Sequence, residues 1–165
     1  VSLAHALNYY QLFDQYSATV VSVTIHSSKK YFLDNYIFRY SKVRSDMYFG
    51  FTKKIVDGKK ICLAEAEKAL IDYLYLDKSF QSASLVFEKI KEHHQELDLK
   101  KLQEYAERSG FASTRKIGFI LDQLNLDTTL LFRVVEHNRS VSHFTVDSKL
   151  FNAKWRLYYD VRIVG

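Results

Sequence analysis

Residues 63–77, LAEAEKALIDYLYLD, combine helix-forming residues with a dense set of apolar side chains. Ala66, Leu70 and Leu74 recur at the spacing of one helical face. Ile71 points away from that face, so the helix is apolar over much of its circumference. A helix of this kind must be covered on several sides, which places it in a core. We therefore predict a central helix with a structural role.

The polar side chains of this helix form one stripe. Glu65, Lys68 and Asp72 are spaced i, i+3 and i+7, so oppositely charged members can pair along the helix. One interpretation of the stripe is a carboxylate site. The other is a solvated, salt-bridged edge, which is favoured because no metal-ligand spacing accompanies the charges.

Length and composition indicate a folded protein. The chain has 165 residues, of which 47% are hydrophobic and 15% aromatic, and this fits a single domain, 1–165, with a real core. No run approaches about 20 apolar residues and no signal peptide is visible, so a membrane span is not predicted. Cys62 is expected to be a small buried hydrophobe. A chain with one cysteine suits the reducing cytoplasm.

The net charge of +5 is unevenly distributed. Residues 1–60 contain nine Lys and Arg against four Asp and no Glu, a balance of +5. Residues 61–112 contain seven against ten, or −3, and residues 113–165 contain eight against five, or +3. This asymmetry predicts one electropositive face. The alternative is that lysines keep a β surface soluble and its edges unpaired.

The first third of the chain reads as helix followed by strands. Ser2 is a plausible N-cap for a helix that continues to Leu12. Alternation of Val21, Val23 and Ile25 with polar residues then predicts a half-buried strand. Further strands are predicted at 31–33, 36–43 and 47–54, and a hairpin at 55–63 about Asp57-Gly58. Successive strands joined by hairpins predict an antiparallel sheet.

The remainder reads as helices and a closing strand. Helices are predicted at 82–93, from an Asp98 cap to before Gly110, and from a Ser113 cap onward. Gly118 inside the last of these predicts close approach of another backbone. From Trp155 the alternation returns, which predicts a strand that joins the first sheet. The predicted fold is α+β: an antiparallel sheet packed on the central helix and a C-terminal helical group.

Signatures of catalysis are absent from the sequence. There is no glycine-rich phosphate loop, nucleophile elbow or zinc-protease helix motif. We therefore predict no catalytic residues, no metal and no cofactor. One alternative is a metal-dependent nuclease built on Asp57, Glu65, Glu67 and Asp72, which requires these carboxylates to converge on a cleft.

Several short motifs occur in an order that resembles a known family. They are the opening helix SLAHALNYYQL from residue 2, the SVT strand at 22–24, FGF at 49–51, AEAEKALID at 64–72, KIGFIL at 116–121 and KWRLY at 154–158. Together they resemble the C-terminal domain of the AbiEi family, the antitoxin component of type IV toxin–antitoxin (abortive infection) systems. The resemblance implies structural roles for Glu67, Lys68, Asp72, Gly118 and Trp155.

The resemblance also implies a function. Family members pair such a domain with an N-terminal winged helix-turn-helix that binds operator DNA, which here would precede residue 1. The C-terminal domain is associated with antitoxicity against a nucleotidyltransferase toxin, without a stable complex. The resemblance thus implies a cytoplasmic phage-defence protein that is an antitoxin and a transcriptional autorepressor, and not an enzyme.

Three classes of function stay open: the regulator, and two alternatives to it. The regulator hypothesis predicts phosphate contacts on a basic face. Its candidate residues are Lys29, Lys30, Arg39, Lys42, Arg44, Lys53, Lys54, Lys59 and Lys60. The alternatives are the nuclease-like enzyme and an interaction module that forms a homodimer through its Tyr/Phe-rich surface.

Overall fold

The computed structural model describes residues 1–164 and has the predicted α+β fold. The chain forms two compact units, residues 1–72 and 73–165, and the boundary falls within the helix that begins at Ala66. A single domain over 1–165 stays a prediction. None of the helices in the described residues is both long and apolar enough to cross a membrane.

Unit 1 contains one short helix, five strands and the start of the central helix. Its elements are α1 (Leu3–Tyr9), β1 (Thr19–Thr24), β2 (Lys29–Leu33), β3 (Tyr36–Lys42), a 3-10 turn (Ser45–Met47), β4 (Phe51–Val56), β5 (Lys59–Ala64) and α2 (Ala66–Leu76). The predicted central helix over 63–77 is therefore shorter, because its first residues complete β5.

The first sheet is mixed, whereas an antiparallel sheet was predicted. Its order is β1-β3-β2, with β3 antiparallel to β2 and parallel to β1. The β1-β2 and β2-β3 connections each reverse the chain direction, as hairpins would. Since β3 inserts between β1 and β2, it meets a strand that runs the same way as itself. Val21 and Val23 of β1 are buried, as predicted, while Ile25 lies beyond the strand and is exposed.

The predicted hairpin about Asp57-Gly58 is confirmed. Strands β4 and β5 pair antiparallel, with Val56 opposite Lys59 across the two turn residues. Asp57 and Gly58 have φ values of 48° and 73°. Two positive φ values in a two-residue loop are typical of a type I′ turn, whose twist matches that of the strands.

The opening helix is shorter than predicted and is not capped by the side chain of Ser2. The helix ends at Tyr9, and Gln11 adopts a φ of 60°. The Ser2 hydroxyl donates instead to Asp72 Oδ2 at 2.7 Å, within the interior of unit 1. The Ser2 side chain is thus directed at the central helix, and its oxygen accepts no hydrogen bond from the first turn of α1.

Unit 2 is mainly helical. After the end of α2 it contains α3 (Phe80–His93), α4 (Leu99–Arg108), α5 (Phe111–Gln123), α6 (Thr129–Val135), β6 (Ser142–His143), β7 (Leu150–Asn152), β8 (Leu157–Tyr159) and a 3-10 turn (Val161–Ile163). The Asp98 cap is confirmed, since its carboxylate accepts from the Lys101 amide at 3.0 Å. The Ser113 cap is wrong, because α5 begins after Gly110 and Ser113 is buried inside the helix.

The C-terminal strand does not join the first sheet, which corrects the prediction. It is β8, and it forms its own three-stranded sheet in the order β6-β8-β7. The strand ends at Tyr159, after which Asp160 accepts from the Arg162 amide and caps the 3-10 turn. The sequence alternation thus continues past the point where the strand ends.

Gly118 packs closely against Trp155 in unit 2. A Cβ at position 118 would overlap the six-membered ring of the Trp155 indole. The prediction of a close approach is right, but the approaching group is a side chain and not a backbone. The indole is fully buried and donates from Nε1 to Asp122 Oδ2 at 3.0 Å. This residue therefore joins α5 to the small C-terminal sheet.

Candidate nucleic-acid interface

Two of the three members of the polar stripe, Lys68 and Asp72, are buried and Glu65 is half-buried, which corrects the prediction of a solvated edge. Lys68 and Asp72 pair at i, i+4, and both side chains are 0% exposed. The Lys68 ammonium lies 4.9 Å from the centroid of the Phe49 ring and 5.5 Å from that of Phe51. Burial raises the pKa of Asp72, and this is opposed by the Lys68 charge and by hydrogen bonds from Lys68 and Ser2. The pair is an internal element of unit 1.

The carboxylates of the nuclease hypothesis do not assemble into a metal site. In residues 1–164, no group of three or more His, Cys, Asp or Glu side chains is placed to hold a metal ion. Asp72 is engaged by Lys68 and Ser2, and Glu67 is also buried. Asp57 lies in the exposed hairpin turn.

One face of the β1-β3-β2 sheet carries exposed aromatic side chains, and we call it the open face. Because alternate residues of a strand point to the same side, and opposite residues of paired strands share a side, the register assigns its members. They are Lys29, Tyr31, Leu33, Tyr36, Phe38, Tyr40 and Lys42. Phe38 is half-buried and the others are exposed. The opposite face of β1 carries the buried Val21 and Val23.

The rings of the open face contact one another at their edges. The centroids of Tyr31 and Tyr40 are 5.9 Å apart at an interplanar angle of 85°, and those of Tyr36 and Phe38 are 6.3 Å apart. Tyr16, from the segment before β1, lies 6.3 Å from Tyr36. A hydrogen bond between these two phenols is the main cause of the raised pKa of Tyr16. The rings thus form two aromatic groups on this face, Tyr31 with Tyr40 and Tyr16 with Tyr36 and Phe38.

The predicted basic residues of this sheet divide between its two faces. Lys29 and Lys42 belong to the open face, whereas Lys30 and Arg39 project from the opposite one. Lys30 lies 4.9 Å from the centroid of the Phe32 ring on that side. All four are exposed. The nine candidates therefore do not form the single electropositive face that the sequence predicted.

Arg44 differs from the other candidates because its charge is matched locally. Its guanidinium donates to both carboxylate oxygens of Asp46, at 3.0 and 2.6 Å. These hydrogen bonds are the main cause of the lowered pKa of Asp46. A bidentate pair of this kind leaves Arg44 less available to a phosphate than an exposed lysine.

The β4-β5 hairpin carries the remaining candidates. The register places Lys53 and Lys60 on one side, beside Cys62, and Lys54 and Lys59 on the other. Lys54 lies 5.7 Å from the centroid of the Tyr9 ring and is half-buried, whereas the other three lysines are exposed. Cys62 is also exposed, which corrects its prediction as a buried residue. Its side of the strand faces solvent, whereas its neighbour Leu63 is buried.

Helix α5 holds two buried cations whose side chains donate hydrogen bonds to neutral groups. Arg115 donates to Ser140, Ser142 and Asn138. Lys116 donates to the Leu74 carbonyl at 3.1 Å. Burial, with the nearby charge of Lys78, lowers the pKa of Lys116 from 10.5 to about 8. Both side chains hold the helix within unit 2.

The residues singled out by the family resemblance are structural in this fold. Glu67, Lys68, Asp72 and Trp155 are buried, and Gly118 is packed against the Trp155 indole. The aromatic members of the open face were missed as site residues. Their signal was present in YIFRY at 36–40, where every second residue is aromatic. A half-buried strand has the same pattern, so the sequence cannot tell whether its aromatic face is covered.

Comparison with known proteins gives no match: no family model, curated protein or solved structure matches the chain.

Proposed function

We propose that the chain is a non-enzymatic, cytoplasmic regulator: an antitoxin and autorepressor domain of the AbiEi type. In this proposal the exposed lysines of unit 1 hold operator DNA by its phosphates. They assist a winged helix-turn-helix, which the resemblance places ahead of residue 1. The observation that carries the proposal is the concentration of exposed basic side chains on β2 to β5, in a segment of 60 residues without a glutamate.

The placement of these lysines suits phosphate binding. Lys53, Lys59 and Lys60 lie at the exposed β4-β5 hairpin, and none of them forms an ion pair within residues 1–164. Flexible ammonium groups on a projecting hairpin reach phosphates without reading bases. Such contacts give binding that depends strongly on salt and little on sequence. We expect the binding free energy from this surface to add to that from base recognition by a separate domain.

The test of the DNA contact is a charge reversal on the hairpin. Lys53→Glu with Lys60→Glu, two exposed lysines on one side of the hairpin, should weaken binding to a fluorescent duplex of about 20 base pairs by roughly tenfold at low salt. The slope of log affinity against log salt should fall by about 2, one for each lost phosphate contact. Fluorescence anisotropy titrations at several salt concentrations measure both quantities.

The matched control reverses two exposed lysines of unit 2. Lys91→Glu with Lys100→Glu changes the net charge by the same amount on helices α3 and α4. We expect this variant to bind the duplex within about twofold of the wild type, apart from the general charge effect. Equal losses in both variants, or none in the Lys53/Lys60 variant, would remove the DNA contact from the proposal.

The antitoxin part has a separate test. We expect a nucleotidyltransferase to be encoded beside this protein and to arrest growth when expressed alone. Co-expression of the present chain should restore growth, and pull-down should recover no stable complex. A neighbouring gene of another class, or arrest that persists on co-expression, would refute the antitoxin assignment while leaving the DNA contact untouched.

A further inference from the structure

We propose that the open face of the β1-β3-β2 sheet binds single-stranded nucleic acid, with unpaired bases stacked on its tyrosines and phosphates held by Lys29 and Lys42. This inference goes beyond the proposed function, because the surface and the ligand both differ from the duplex contact of the β4-β5 hairpin. It would stand if the antitoxin assignment failed.

The exposure of the aromatic rings is the first support. Tyr31 is 51% exposed, Tyr36 39% and Tyr40 38%, although a sheet face of this composition is ordinarily buried. Leu33 on the same face is 62% exposed. Continuous exposed aromatic and aliphatic surface on one side of a sheet marks a site of interaction.

The geometry of the rings is the second support. Residues two apart on a strand are separated by about 6.6 Å, so Tyr36, Phe38 and Tyr40 present rings at regular intervals along β3. Tyr31 and Tyr40 meet edge to face, which leaves ring faces open to a planar ligand. A base of any identity has a π face, so such a row accepts an unpaired strand with little sequence preference.

A groove beside these rings combines stacking with polar groups. It has a volume of about 520 Å³ and is lined by Thr24, His26, Ser27, Lys29, Tyr31 and Tyr40. The two tyrosines offer rings, the lysine offers a cation, and the hydroxyls and the imidazole offer hydrogen bonds. These are the groups that hold one nucleotide by its base, phosphate and sugar.

Charge identifies the occupant as nucleic acid and not a second copy of this chain. The residues of the open face include two lysines, Lys29 and Lys42, and no Asp or Glu. A homodimer formed through the open face would bury Lys29 and Lys42 of both copies with no carboxylate on that face to pair with them, which is unfavourable. A polyanion meets the same lysines with opposite charge. A duplex, whose bases are already stacked in pairs, cannot use the rings.

The experiment measures binding of labelled oligothymidine and oligouridine of about ten nucleotides by fluorescence anisotropy. The wild-type chain should bind one or both at low salt, and the tighter of the two identifies DNA or RNA as the source. Tyr31→Ala with Tyr40→Ala should weaken this binding by about tenfold or more, because stacking contributes roughly 1–3 kcal/mol per base.

Three controls keep the result specific. Tyr31→Phe with Tyr40→Phe retains the rings and should bind within about twofold of the wild type. Phe111→Ala removes a ring of similar exposure from α5 of unit 2 and should have no effect. Lys29→Glu with Lys42→Glu leaves the rings in place and should reduce both the affinity and its salt dependence.

The inference is overturned by any of three results. These are no binding of either single strand by the wild type, equal binding by the Tyr31/Tyr40 alanine variant with an unchanged circular dichroism spectrum, or a dimer in sedimentation that the same variant dissociates. Duplex binding lost in the Lys53/Lys60 variant with single-strand binding retained would show that the two surfaces act separately.

Discussion

The two three-stranded sheets of this protein share one topology and differ in what covers them. In each, the first strand is parallel to the third, the second is antiparallel to it, and the third lies in the middle. In unit 2 the central strand β8 begins at the buried Leu157 and Tyr159 packs 4.7 Å from the Phe119 ring centroid. In unit 1 the central strand β3 presents its tyrosines to solvent.

The difference teaches that strand order does not decide which faces are buried. The β8 sheet lies against α5, whose residues 113–121 are all buried. In unit 1, α1 covers the Val21 and Val23 side of β1, and β2 is exposed along its whole length. A large aromatic face exposed to water usually marks a site of interaction. We therefore propose that this face, which also carries lysines, binds a ligand.

The largest expected effect concerns the buried Lys68–Asp72 pair, which stabilises the interior of unit 1. Asp72→Asn removes the carboxylate from the buried Lys68 ammonium and should lower the free energy of unfolding by about 3–5 kcal/mol. Lys68→Met with Asp72→Leu removes both charges and should be nearly neutral. Urea titrations followed by far-UV circular dichroism measure this. A small loss in the free energy of unfolding of Asp72→Asn would show that the Lys68–Asp72 pair is solvated.

The next prediction compares the central strands directly. Leu157→Ala in β8 creates a cavity in a fully buried site and should cost about 2–5 kcal/mol. Tyr40→Ala in β3 removes an exposed ring and should cost less than about 1 kcal/mol. Trp155 is the one tryptophan of the chain, so its fluorescence reports unfolding of unit 2, and circular dichroism reports both units. Similar costs at the two positions would mean that the open face is covered in solution.

A smaller effect follows from the buried lysine of unit 2. Because the pKa of Lys116 is about 8 in the folded chain and 10.5 ordinarily, the unfolded state binds more protons between these pH values. Stability relative to Lys116→Met should therefore rise by up to about 3 kcal/mol as the pH increases from 8 to 10.5. The penalty for burying the charge is fully present below pH 8. Unfolding of both proteins, monitored by Trp155 fluorescence, measures this difference in stability at each pH. A difference that does not change with pH would contradict the lowered pKa.

Local signals in the sequence predicted the elements well. The Asp57-Gly58 turn, the Asp98 cap and the alternation of Val21 and Val23 each depend on residues close together in the chain. Long-range arrangement was predicted less well. Nothing local distinguishes a third strand that inserts between two others from one that adds at an edge, so the parallel β1-β3 pair and the separate C-terminal sheet were missed.

Burial was the other property that the sequence did not reveal. The spacing of Lys68 and Asp72 correctly predicts a pair, but an i, i+4 pair looks the same on a surface and in a core. The same holds for Cys62, which sits beside a buried residue on a strand yet faces solvent. Among the candidate residues, the basic ones could be selected from charge alone, whereas the tyrosines required the register of the sheet.

The most direct test of the open face is a residue-resolved map of binding. Amide chemical shifts of the isotopically labelled chain, recorded while oligothymidine is added, should change along β2 and β3, from Lys29 to Lys42, and should stay constant along β6, β7 and β8. Changes confined to unit 2, or no changes at saturating oligonucleotide, would contradict the assignment of this sheet as a nucleic-acid-binding surface.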